Sequence, residues 1–170
     1  MYLRPLEPED LDLLYTIENN EEFWDTSNTN GPYSRFALKQ YIASAASIYE
    51  CGQLRLVIDL GNNHDSSSKS NPIGLIDLTN YSAIDARAEI GITLLQKFRG
   101  KGWGEKALLL IESYAKKQLR IHSLHAYVSP NNLPSYQLFK KSGYKTIATL
   151  PDWCFKEGKY EDIALFMKIF

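Results

Sequence analysis

The sequence predicts an α/β (α+β) fold, a single domain over 1–170 with a mixed central sheet of about six or seven strands flanked by about four helices. Three observations predict it. A strand-like stretch (Ala86–Leu95), a glycine-rich turn (Arg99-Gly100-Lys101-Gly102-Trp103-Gly104), an amphipathic run and a second strand (Ser123–Val128) follow one another as a βαβ unit, whose strands should lie parallel. Segments on either side alternate apolar and polar residues with the period of a half-buried strand. The 170 residues, 44% hydrophobic and 23% charged, suffice for one sizeable core, and no linker, internal repeat or second domain is visible.

Tyr2–Leu6 reads as a short strand, and Pro8 stands where a first helical turn tolerates proline, opening a helix through Leu11, Leu14 and Tyr15 to about Asn19. Glu21–Pro32 has no steady period and is expected to be a loop carrying Phe23 and Trp24. Ser34 can cap a second helix reaching about Tyr49, with Leu38, Tyr41, Ile42, Ala45, Ile48 and Tyr49 at helical spacing. Leu54–Leu60 and Pro72–Thr79 are predicted strands joined by a polar hairpin loop; His64 within that loop has no second metal donor at a useful spacing and is assigned no chemistry. In Ala86–Leu95, alternation sets Arg87, Glu89, Gly91 and Thr93 on one side and Ala88, Ile90, Ile92 and Leu94 on the other, placing a carboxylate in mid-sheet. Ala107, Leu108, Ile111, Tyr114, Ala115 and Leu119 form the inner face of a helix over roughly 103–119. Asn131-Asn132-Leu133-Pro134 opens the next helix, which Gly143 ends in a left-handed cap; Tyr144–Thr149 and Glu161–Phe170 complete the sheet.

The glycine-rich turn reads as a phosphate cradle. Glycines at 100, 102 and 104 permit φ > 0 and close approach of an anion, the free N–H groups of the following helix's first turn point at it, and Arg99 and Lys101 add positive charge at the rim. An ordinary loop-to-helix connection would use the same residues. Its position at the carboxyl end of a strand in a βαβ unit is where open α/β sheets take their ligands.

Composition excludes several classes of function. A formal net charge of −1 and a pI near 6.3 argue against a nucleic-acid surface. Cys51 and Cys154 stand far apart without a CxxC or His-rich companion, so neither a disulfide framework nor a metal site is indicated, and reduced, cytoplasmic thiols are expected. No apolar run approaches the ~18 residues of a membrane span.

Arg99-x-x-Gly102-x-Gly104, followed about thirty residues later by Asn132…Leu138-Phe139…Gly143-Tyr144, resembles the acyl-CoA pyrophosphate motif and the downstream block of the GNAT N-acetyltransferase superfamily. Arg4-Pro5-Leu6…Asp10-Leu11 and Arg87-Ala88-Glu89-Ile90 are similar to the subgroup of ribosomal-protein alanine and spermidine acetyltransferases, and the likeness covers nearly the whole chain. The resemblance implies one-step acetyl transfer from acetyl-CoA to a primary amine, a small amine, polyamine or protein amino terminus, with both substrates bound together; homo-oligomerisation stays open. It implies a CoA site at Leu94, Arg99, Gly100, Lys101, Gly102, Trp103, Gly104, Asn132 and Phe139, with a backbone N–H at Leu94 or its neighbour receiving the thioester carbonyl.

The attacking amine is protonated at neutral pH, so a base must take its proton; Glu89 is the candidate, directly or through water, against the alternative of a sheet carboxylate paired with Arg87 or a backbone group. The family's tyrosine that protonates the departing thiolate is Phe139 here, which has no proton to give. Tyr136, one helical turn earlier, could replace it or could simply pack, and water could serve instead. The resemblance implies acidic residues in the loop before the second helix of a spermidine acetyltransferase, but the stretch here is Asn28-Thr29-Asn30-Gly31-Pro32-Tyr33 and the polycation-binding pair is not evident; Glu21, Glu22 and Asp25 a few residues upstream could serve instead or simply be solvated, and Trp24, Tyr33 and Trp153 could line an acceptor slot or anchor the core. The missing tyrosine keeps a second reading open, a catalytically weak acyl-CoA-binding sensor or assembly module.

Overall fold

The stretches that alternate apolar and polar residues become the strands of a single sheet in the computed structural model, which describes residues 1–24, 31–44, 47–61, 70–156 and 158–170. The strands are β1 (Tyr2–Pro5), β2 (Leu54–Asp59), β3 (Pro72–Ser82), β4 (Arg87–Leu94), β5 (Ser123–Val128), β6 (Lys145–Lys156) and β7 (Lys159–Ile169). They lie in the order β1-β2-β3-β4-β5-β7-β6. Only β4 and β5 pair in parallel, as the βαβ reading requires; the other neighbours are antiparallel.

Six α-helices occur among the described residues. On one face of the sheet, α5 (Trp103–Lys117) sets Ala107, Leu108, Ile111 and Ala115 against Ala88, Ile90, Leu124 and Ala126, and α6 (Leu133–Lys141) adds Phe139. Burying each Leu, Ile or Phe there stabilises the fold by about 1.5–3 kcal/mol. On the other face, α1 (Leu11–Glu18), α2 (Glu21–Trp24) and α3 (Arg35–Ala43) bring Leu13, Leu14, Ile17, Phe23, Leu38 and Ile42 onto Val57 and Leu75. These helices pack on the β2–β3 side of that face, while toward β5 and β6 Tyr127 and Trp153 stay exposed.

Three local differences from the sequence reading have physical causes. The helix expected from Ser34 to Tyr49 is two: α3 ends at Ala43, and α4 (Ile48–Cys51) restarts from a capping box between Ser47 and Glu50. Ser44 turns its hydroxyl back to the Tyr41 carbonyl, the local competition that ends helices at serine. The segment expected to be loop from Glu21 begins with α2, where Asn20 Oδ1 accepts from Glu22 N–H at 3.0 Å and Trp24 Nε1 donates to the Glu18 carbonyl at 2.7 Å. The strand expected to stop at Thr149 continues to Lys156 through Pro151 and a register shift at which Asp152 takes φ 50°, which is tolerable because β6 is an edge strand. His64, Asp25 and most of the polar loop after β2 lie outside the described residues.

An ionic clasp closes the β1–β2 edge. Arg4 donates to Asp10 at 2.6 Å and to Asp59 at 2.9 Å, and buried Asp59 also accepts from the Ser70 hydroxyl and the Gly61 and Asn71 N–H groups. Burial would raise the Asp59 pKa, but these hydrogen bonds outweigh it and bring it down to about 2.

Candidate active site

Where β4 and β5 part, the sheet opens a wedge. Their pairing runs only through Arg87↔Ser123, Ala88↔Leu124 and Glu89↔His125. Beyond that point β4 stays with β3 as far as Leu94↔Gly74, and β5 stays with β7 as far as Val128↔Ala164. Among the described residues, backbone groups from Ile90 to Leu94 on the β5 side therefore have no strand partner and form an open edge.

Leu94 lies on this edge. The Leu95 N–H donates to the Ile73 carbonyl toward β3, so alternation turns the Leu94 peptide the opposite way, and the Leu94 carbonyl accepts from Arg99 Nε at 3.0 Å. Gly74 makes this approach possible: a Cβ there would collide with the Thr93 carbonyl oxygen.

The glycine turn completes the wedge at its open end. Gly100 and Gly102 take φ of 72° and 78°, and Gly102 is the N-cap of α5. Its carbonyl accepts the Lys106 N–H, which leaves the N–H groups of Trp103, Gly104 and Glu105 ahead of the helix's own ladder. Among the described residues, a Cβ at Gly100 or Gly102 would meet no atom within 4 Å beyond its chain neighbours, so both glycines face open space. Gly104 is different from expectation. It has no positive φ, and its Cβ would stand 3.1 Å from Leu138 Cδ2, so this glycine lets α5 and α6 approach each other. Charge at the rim comes from lysines. Lys97 and Lys101 lie 5.0 and 6.0 Å from the Phe98 ring centre and Lys106 lies 4.7 Å from that of Trp103, whereas Arg99 reaches across to Glu22 at 2.6 Å and over the Phe23 ring.

Glu89 lies at the vertex of the wedge, half-buried. Its carboxylate accepts from Asn80 Nδ2 at 2.9 Å, its one hydrogen bond among the described residues. Arg87, the partner considered from sequence, pairs instead with Asp85 at 3.1 Å. Asn80 is within reach because β3 bulges between Thr79 and Ser82 and Asn80 takes φ 51°, a conformation asparagine tolerates. Sequence gave no sign of that contact.

On the α6 side, Asn132 caps the helix, its side-chain oxygen accepting from the Ser135 N–H at 3.2 Å. Phe139 is buried against the rings of Tyr144 and Phe166, and Tyr136 packs edge-on to Phe166 at 4.9 Å while staying half-exposed. The three aromatic candidates for the acceptor slot separate. Trp24 is tied to α1, Tyr33 pairs its backbone with the Asn19 side chain, and Trp153 stacks on Tyr127 at 6.1 Å on the open sheet face. A cleft of about 400 Å³ beyond the end of β4 is lined by Thr16, Asn20, Glu22, Phe23, Leu95, Gln96 and Lys97. No cluster of three metal-ligating side chains occurs among the described residues, and no helix there is long and apolar enough to cross a membrane.

The two diverging parallel strands thus leave an unpaired strand edge on one side of a wedge and a helix N-terminus after its end, among the described residues. The acetyltransferase (GNAT) domain profile matches residues 1–145, and the chain belongs to that family. Spermidine N(1)-acetyltransferase of Escherichia coli K12 is 26% identical over 171 residues, spanning 99% of this chain and 84% of that protein. Its Vibrio cholerae counterpart is 24% identical over 164 residues, spanning 95% and 88%. The fold matches the crystal structure of spermidine N-acetyltransferase from Vibrio cholerae in complex with CoA and spermine with a TM-score of 0.83, at 24% identity and 98% and 94% coverage. The protein is thus an N-acetyltransferase, acetyl-CoA its donor and an amine its acceptor, and the sensor reading is not favoured.

Proposed function

We propose that the acceptor is an aliphatic polyamine of the spermidine class, acetylated on a primary amine in a ternary complex with acetyl-CoA. The observation that carries this reading is Glu89 at the vertex of the wedge, on the sheet face that stays open toward β5 and β6, in a chain aligned over 99% of its length with a spermidine acetyltransferase. The N–H groups around Gly102 and the neighbouring lysines hold the CoA diphosphate, and the open edge of β4 ending at Leu94 holds the arm and polarises the thioester carbonyl. Asn132 and Phe139 shape the α6 wall of the same site.

Glu89 lies five residues before Leu94, about 16 Å of strand at 3.3 Å per residue, so the proton leaving the amine travels through water rather than by direct contact. The nitrogen then attacks the thioester carbon, the C–S bond breaks, and the thiolate leaves with the electron pair, to be protonated by Tyr136 or solvent. The protein works as one domain in the cytoplasm, where the thiols of Cys51 and Cys154 stay reduced. It self-associates; a dodecameric spermidine N-acetyltransferase from Vibrio cholerae shares the fold at a TM-score of 0.78. Thiol release from acetyl-CoA across polyamines, amino acids, aminoglycosides and N-terminal peptides tests the acceptor: kcat/KM should be highest for spermidine and spermine. Faster turnover of a peptide amino terminus than of any polyamine would overturn the reading.

A further inference from the structure

Strand register assembles a row that no single segment of sequence displays. Thr79, Glu89, His125, Met167 and Lys145 are successive partners across β3, β4, β5, β7 and β6, and their side chains share the face that Tyr127 and Trp153 leave open. His125 stands directly opposite Glu89, at the last pair before the strands separate, half-buried and edge-on to the Tyr127 ring at 5.7 Å. Asn80 fixes Glu89 from the other side. An orienting amide, a carboxylate and an imidazole in that order are the groups that elsewhere turn a histidine into a proton acceptor.

We propose that His125 is the final acceptor of the amine's proton, with Glu89 stabilising the imidazolium that forms and Asn80 holding Glu89 in place. This rests on the acetyl-transfer reading above and assigns its base more narrowly. As the amine nitrogen bonds to the thioester carbon, its proton passes through water to the unprotonated ring nitrogen of His125, and the thiolate carries away the C–S electron pair. The environment suits the task. Burial pulls the imidazole below its ordinary value and Arg87 adds to this, while Glu89 and a hydrogen bond to the Ala88 backbone pull the other way, so the ring is neutral and receptive at pH 7. The charged and titratable groups facing it are Glu89 and Arg87 from β4, Tyr127 on its own strand and Lys145 in the row beyond Met167. Arg87 is occupied by Asp85, so Glu89 is the partner best placed to respond when the ring charges.

Two measurements test the assignment. The first follows the His125 ring by NMR in the wild-type protein, its signal identified by its absence from His125→Gln. The ring should titrate below about pH 6.5, and lower still in Glu89→Gln; a ring still charged above about pH 7, or one indifferent to Glu89→Gln, overturns the relay. The second is the pH profile of kcat with acetyl-CoA and spermidine. Wild type should lose activity on the acid side in step with the NMR titration, and folded His125→Gln should be at least about 10-fold slower, lacking that limb while CoA affinity stays unchanged. An acid limb preserved in His125→Gln overturns the proposal while leaving acetyl transfer standing. Absence of wild-type turnover with every amine overturns the acetyl-transfer reading and the relay with it.

Discussion

Gly102→Ala separates the cradle's effect on ligand binding from its effect on folding. At φ 78° a residue with a Cβ is strained by about 1–2 kcal/mol, so the variant should be measurably less stable but folded. For a chain of this length that corresponds to a Tm lower by roughly 2–8 °C. Among the described residues the added methyl meets no atom within 4 Å beyond its chain neighbours, so in the proposed cradle its cost falls on the bound diphosphate. Hydrogen bonds to a charged group are worth about 1.5–3 kcal/mol each, so displacing the diphosphate from one of them should weaken CoA binding by roughly 10-fold to 150-fold. Lys101→Ala, which removes only a screened surface charge, should weaken binding by less than about 5-fold. Gly104→Ala is the internal control. It sits in a helix without positive φ, where alanine is the better helix former, and asks Leu138 to yield a few tenths of an ångström. Isothermal titration with CoA distinguishes the three variants. Unchanged CoA affinity in folded Gly102→Ala would refute the cradle.

Gly74→Ala should lower Tm by roughly 6–12 °C, a loss near 3 kcal/mol, because the methyl would strike the Thr93 carbonyl oxygen; a melt identical to wild type would show that β4 can relax there. With the folded pKa of Asp59 about 2, below its unfolded value, the stability it contributes is complete above about pH 4 and is lost as pH falls toward 2. Urea midpoints followed across that range should drop in wild type and drop less steeply in Asp59→Asn; parallel curves would exclude the clasp as a source of acid sensitivity. Tyr136→Phe should leave CoA affinity intact. If Tyr136 protonates the thiolate, kcat falls and Phe139→Tyr in the same variant recovers part of the loss; if both changes are silent, solvent is the donor.

What could be read from sequence was local. Ser123–Val128 is a strand with those same bounds because its alternation is unbroken, and Asn132 and Gly143 bracket α6 because caps are written in single residues. The parallel pairing of β4 and β5 followed from the handedness and length of one connection. Features that depend on distant residues stayed hidden. Gly104 was expected to take φ > 0 like Gly100 and Gly102, but it does not, and what its missing side chain makes room for is Leu138 on the next helix. Glu89 was visible as a carboxylate in a sheet, yet its partners, Asn80 through a bulge and His125 through register, belong to neighbouring strands. Pro151 reads as a strand breaker, and only the position of β6 at the sheet edge shows why the strand continues through it.

The most direct test of acetyl transfer at the vertex of the wedge is Glu89→Gln, which keeps the side chain's shape and its acceptor for Asn80 while removing its charge. Steady-state kinetics with acetyl-CoA and spermidine at neutral pH, run beside a CoA titration, should show kcat reduced at least about 10-fold, the loss expected whether Glu89 takes the proton or stabilises the group that does, with CoA affinity within about 2-fold of wild type. Near-wild-type kcat in the folded variant would contradict the role given to this residue and to the face of the sheet on which it stands.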